Sequence, residues 1–158
     1  MVSADDIQRC PEGGVLVVGN VVLSAWTQAY NERGVAMLGA AVERAAAAHD
    51  VIGALGVYRI KGLREVPSAE TRNALAAMGT KHPFKMMSTV LDSSGFANAI
   101  IRLFLSGLTQ VMGAKAPMAV AGSVDEGLEQ LRAAGFDADA LREPLAILLG
   151  DVFGSSPR

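Results

Sequence analysis

Aromatic residues are scarce in this chain, at 5% of 158 residues. With one Trp, two Tyr and five Phe there is little surface on which single-stranded nucleic acid could stack. A basic excess is also missing: the formal net charge is −2, with both signs spread along the chain. Phosphate-backbone binding lacks its main driving force, and no nucleic-acid partner is expected. Cys10 is the only cysteine, which excludes an internal disulfide and a multi-cysteine zinc site. His49 and His82 stand far apart at element boundaries, where each suits a helix C-terminus better than catalysis or metal binding. No apolar run reaches the length of a membrane span before a glycine or charge interrupts it. The acidic N-terminus lacks the basic and apolar regions of a signal peptide, so a cytoplasmic location without membrane insertion is expected.

What is present is a core of aliphatic residues and alanine, 51% hydrophobic in all, in a length that suits one domain over residues 1–158. The turn Pro11-Glu12-Gly13-Gly14 precedes an apolar, β-branched run at 15–22 and predicts an antiparallel hairpin with a short edge strand. Val35, Leu38, Val42 and Ala45 recur at helical spacing within 30–48. A strand is expected at 51–57, then a helix capped by Ser68 and closed by Gly79. Strands at 84–90 and 118–121 flank a strongly apolar helix over 96–112. Ser123-Val124-Asp125-Glu126 forms a capping box for a helix that Gly135 stops. Residues 136–153 read as an appended helical segment interrupted near Pro144. The fold class predicted is α/β: a mixed, mostly parallel sheet of four to five strands flanked by helices.

The order hairpin, α, β, α, β, α, β, α resembles the STAS-like domains, the family of bacterial anti-sigma-factor antagonists. The resemblance spans residues 6–134 and leaves the C-terminal helical segment unmatched. Asp92-Ser93-Ser94-Gly95-Phe96 is similar to the family's phosphorylation motif, an Asp, two hydroxyl residues, a Gly and an apolar residue opening a helix. Ala121-Gly122-Ser123-Val124-Asp125-Glu126-Gly127-Leu128 is similar to the entry into the family's last helix. By element count the family's motif position falls at 66–70, which makes Ser68 a second candidate. The resemblance implies a non-enzymatic protein-interaction module in bacterial cytoplasmic signalling, without cofactor or metal, whose partner is a kinase or regulatory factor. Phosphorylation at Ser68, Ser93 or Ser94 would add charge beside a helix N-terminus, where unpaired backbone N–H groups and Gly95 also suit an anion.

Two further expectations come from the residues. The 96–112 helix carries two apolar stripes: Phe96, Ala99, Ile100, Leu103, Gly107 and Val111 for the core, and Ile101, Leu105, Leu108 and Met112 as a second face. Leu145, Leu148 and Phe153 add apolar surface in the appended segment, so a twofold homodimer covering both is expected. An alternative function is a binding domain for a small apolar or anionic ligand, with a STAS-like or lipid-carrier-like fold. A large cavity lined by Met and Leu would distinguish it from an interaction module with a filled core.

Overall fold

The computed structural model describes residues 2–28, 30–60, 67–92, 99, 102, 103, 105–107 and 117–154. After a 3-10 turn at Ala4–Asp6, the chain forms strands β1 (Gln8–Cys10), β2 (Gly13–Val18) and β3 (Val21–Trp26). Helix α1 (Glu32–Ala48), strand β4 (Ile52–Tyr58), helix α2 (Ala69–Lys81), strand β5 (Phe84–Leu91) and strand β6 (Met118–Ala121) follow. Helices α3 (Val124–Ala133) and α4 (Ala138–Phe153) complete the described elements. The six strands form one sheet in sequence order, β1-β2-β3-β4-β5-β6.

The class is α/β, as expected, but the sheet has six strands rather than four to five and is mixed rather than mostly parallel. β1–β2 and β2–β3 pair antiparallel, whereas β3–β4, β4–β5 and β5–β6 pair parallel. The additional strand comes from the run at 15–22, which is two strands and not one. Gly19, at φ +57°, and Asn20 turn the chain through a two-residue hairpin that pairs Val18 with Val21. A left-handed first turn residue is what such tight hairpins require, and glycine adopts it at least cost.

Sequential strand order has a consequence for layering. Right-handed crossovers that always step in one direction place their helices on one face of the sheet. α1, α2 and Leu105 accordingly pack on the face bearing Val22, Trp26, Ile52, Tyr58 and Leu91. The other face, with Leu23, Ala25, Leu55, Val57 and Val90, is covered by α3 and α4. This explains the apolar content of 138–153: among the described residues no crossover helix packs on that face, and the chain supplies its cover after β6. α4 is one continuous helix with Pro144 buried inside it, not an interrupted segment.

Local signals set most helix ends. Asn31, Ser68, Ser123 and Asp137 N-cap the four helices, each accepting a backbone N–H from three residues on. Gly135, at φ +99°, follows α3 as expected. Gly79 does not close α2; it is buried within the helix, which runs on to Lys81 with His82 as its C-cap.

Candidate functional site

Three registered rows cross the first face of the sheet. Val22, Ala54, Met87 and Met118 form one, and Trp26, Tyr58 and Leu91 form another. Between them run Ser24, Gly56, Thr89 and Val120. A row of small and polar side chains cannot fill the space beneath the helices, and a cavity of about 80 Å³ lies there. Its floor includes Ser24, Ala54, Gly56 and Thr89, and its walls include Leu38, Val42, Leu75, Met78, Met87 and Leu105. Ala54 and Gly56 are only half-buried although they sit on a central strand, so solvent reaches the floor. A volume several times that needed for one water can admit a small molecule.

One end of the cavity is polar. The Tyr58 hydroxyl donates to the Tyr30 hydroxyl, and both residues line the space. Their rings meet edge to face with centroids 5.6 Å apart, and Tyr30 meets Trp26 in the same way at 4.8 Å. The Ser24 hydroxyl and the Trp26 indole N–H also stand beside the Tyr30 oxygen. Trp26 is fully buried, and its Nε1 makes no hydrogen bond of ordinary geometry. Burial pushes the Tyr30 phenol up to about 12, against the opposing pull of the Tyr58 hydrogen bond and of the Ser24 and Trp26 donors beside it. Burial likewise raises Tyr58, with Tyr30 beside it adding to the shift. Both phenols are therefore neutral near pH 7 and remain proton donors. Gly56 keeps this end open: a Cβ there would stand 3.0 Å from Ser24 Oγ and 3.4 Å from the Tyr58 ring.

A second polar group lies at the β1–β2 turn. Asn31 Nδ2 donates to Glu12 Oε1 at 2.6 Å, while Thr27 donates its backbone N–H and hydroxyl to the Glu12 carbonyl. Burial raises the Glu12 carboxyl, but hydrogen bonds from Cys10 and Asn31 bring it below its ordinary value on balance. Burial raises the Cys10 thiol, the opposite of what an activated nucleophile requires. The turn thus anchors the N-cap of α1. Among the described residues no group of three or more His, Cys, Asp or Glu is placed to hold a metal.

Ser68 is exposed and caps α2, accepting from Thr71 N and donating to Thr71 Oγ1, both at 3.1 Å. α2 ends beside the start of β5, and its length of about 20 Å returns its N-terminus to the sheet edge where the parallel strands end. Asp92 marks that edge at the end of β5, accepting from Arg59 Nε at 2.8 Å. Ser93, Ser94 and Gly95 lie outside the described residues, as do Ile101, Leu108 and Met112.

The expected dimer surface is corrected at the residues that are described. Leu105 is 6% exposed and belongs to the first core, whereas Leu103, assigned to the core stripe, is 73% exposed. At these two positions the order of the stripes is the reverse of that expected, because two stripes at one spacing carry no local information about which meets the sheet. Leu145 and Leu148 are buried against the second face of their own sheet and are not available to a partner. Phe153 is half-buried, with the Arg59 guanidinium 4.4 Å from its ring centroid. Among the described residues no helix is long and apolar enough to cross a membrane.

Ser24, Tyr30, Gly56, Tyr58 and Thr89 escaped the sequence reading. The signal of Ser24, Gly56, Tyr58 and Thr89 is dispersed, single residues at the same alternation phase of three apolar strands, and Tyr30 stands in the loop between β3 and α1. Searches of family models, curated proteins and solved structures find no match to this chain.

Proposed function

We propose that this protein is a non-enzymatic binding domain for a small, largely apolar molecule, held between α1, α2 and the first face of the sheet. The cavity carries the reading: Leu and Met walls enclose a floor of Ser24, Ala54, Gly56 and Thr89, with one polar end. Sites for small molecules have this composition, an apolar lining and a few convergent polar groups. The element order behind the STAS resemblance agrees with a binding rather than a catalytic role. A cytoplasmic location belongs to the same proposal.

The test is an amide-resolved NMR titration with benzene and cyclohexane. Binding in the cavity moves resonances of Tyr30, Ala54, Gly56 and Thr89 together and leaves those of α3 and α4 in place. Ala54→Leu, which fills the floor, abolishes the shifts in a folded protein. Wild-type protein that shows no shifts at these residues overturns the reading.

A second reading, a STAS-like protein-interaction module, is favoured by exposed apolar side chains, of which Leu103 and Val120 are two among the described residues. Leu103 is 73% exposed, and Val120, on edge strand β6, is 38% exposed. Their replacement by Lys would weaken capture of a protein partner without altering ligand titrations.

A further inference from the structure

We propose that the cavity takes a small neutral alcohol, whose hydroxyl group sits over Gly56 among the side chains of Ser24, Tyr58 and Thr89 and whose carbon body lies against the Leu and Met walls. This rests on the ligand-binding reading above and specifies its chemistry.

Strand register makes the seat. Ser24 and Thr89 lie directly beside Gly56 on the two neighbouring strands, and all three line the cavity. Neighbouring strands run about 4.8 Å apart, so two hydroxyl-bearing side chains flank a position that has none of its own. Tyr58 closes a third side: a Cβ on Gly56 would stand 3.9 Å from the Tyr58 hydroxyl oxygen and 3.0 Å from Ser24 Oγ. Ser88 also lines the cavity, but its hydroxyl is committed to Gln130, at 2.5 Å. Among the described residues, the polar side chains that line the cavity all carry hydroxyls.

Hydroxyl chemistry selects what enters. Each hydroxyl brings one proton and two lone pairs. A group built from Ser24, Tyr30, Tyr58 and Thr89 therefore has more lone pairs than protons, and the single indole proton of Trp26 beside Tyr30 does not reverse the balance. The Tyr58 proton is already given to Tyr30. A ligand that only accepts, such as a ketone, competes for protons in short supply, whereas one that donates finds a lone pair to receive it. An alcohol does both, as a water molecule would. Charge narrows the class further. None of the described residues lining the cavity is Asp, Glu, Lys, Arg or His, so a carboxylate or an ammonium group would enter without a counter-ion and lose its hydration. The phenols hold their protons at neutral pH and supply no negative charge either. The cavity volume of about 80 Å³ favours a compact body of few carbons over a long chain or a fused ring system.

Four probes of similar size separate the outcomes in titrations of the full chain, followed by the backbone amides of the cavity floor. Cyclopentanol should bind roughly tenfold more tightly than cyclopentanone, whose oxygen only accepts. Ser24→Ala and Thr89→Val should each remove most of that lead while methylcyclopentane, which has no polar atom, binds as before; either variant alone suffices if the other fails to fold. A lead that survives both substitutions would overturn the seat over Gly56. Binding of cyclopentanone as tightly as cyclopentanol would overturn hydroxyl recognition and leave the apolar-ligand reading standing. Tightest binding by cyclopentylammonium would overturn the neutral-ligand claim. If none of the four binds, the ligand-binding reading falls and this inference with it.

Discussion

The two faces of the central sheet are built from the same strands and differ in what their alternate residues leave behind. On the face under α3 and α4, Leu23, Leu55, Val57 and Val90 meet Leu128, Leu131, Leu145 and Leu148, all at most 1% exposed. Even the glycines there are used for close approach: a Cβ at Gly127 would lie 2.8 Å from Val90, and one at Gly53 would lie 2.9 Å from Phe136. On the face under α1 and α2, the corresponding row is Ser24, Gly56 and Thr89, and space remains. Close packing is the rule in protein interiors, so the hollow face opposite a filled one is the departure on which the proposed binding role rests.

That contrast is broken most severely on the filled face. Leu148→Ala removes a fully buried side chain from a region with no room to relax, and a loss of about 2–5 kcal/mol is expected. Urea unfolding of the variant would show it as a lower midpoint with an unchanged slope. A matched pair sharpens the comparison. Ala25 and Ala54 sit on adjacent strands facing opposite ways, the first fully buried and the second half-buried on the cavity floor. Ala25→Leu should overpack its face and cost about 1–3 kcal/mol. Ala54→Leu should be tolerated or raise the midpoint, because the added carbons enter space already present. Equal losses for the two would show the faces to be packed alike.

The faces were also unequally legible in the sequence. The α3 cap follows from a local signal, since Ser123 accepts from Glu126 N as its spacing predicts, but the reciprocal half of the capping box does not form. Glu126 closes back onto Gly122 N, one residue short of the cap. The β2–β3 turn was missed because an unbroken apolar run outweighed Gly19-Asn20 within it, which cost the reading one strand. The reversal at Leu103 and Leu105 reflects a limit of periodicity, which finds apolar faces without saying what they meet. The cavity was illegible for a different reason. It exists only where register brings Ser24, Gly56 and Thr89 into line across three strands more than 30 residues apart. No window along the chain contains that row.

A pH series probes the hollow face alone, because both buried phenols belong to it. A phenol whose pKa is raised by folding keeps its full contribution below the unfolded value, near 10. Above it the unfolded chain releases protons that the native state retains, so stability falls as pH rises towards the folded value. For Tyr30, pushed up to about 12, the window runs from roughly pH 10 to 12, with a loss on the order of 2 kcal/mol. Tyr58 adds to the loss in the same direction. Unfolding midpoints measured from pH 8 to 11.5 should decline for wild type and decline less for the Tyr30→Phe, Tyr58→Phe double variant. Parallel curves would show that the phenols are not buried against each other.

The smallest effect concerns Ser68, where the hollow face meets solvent and two roles compete. As an N-cap, its hydroxyl oxygen accepts from Thr71 N at 3.1 Å, and any short oxygen acceptor can do the same. Ser68→Ala should therefore cost about 1 kcal/mol, and Ser68→Asp should cost almost nothing, since Asp caps as well and its charge favours a helix N-terminus. A phosphorylation switch makes the opposite demand on function: Ser68→Asp would imitate the added charge and change partner binding, while Ser68→Ala would leave binding intact apart from its stability cost. Unfolding midpoints and partner affinity, measured on the same two variants, separate the roles. If Ser68→Asp matches wild type in both, the residue is a cap and the exposed end of α2 carries no switch.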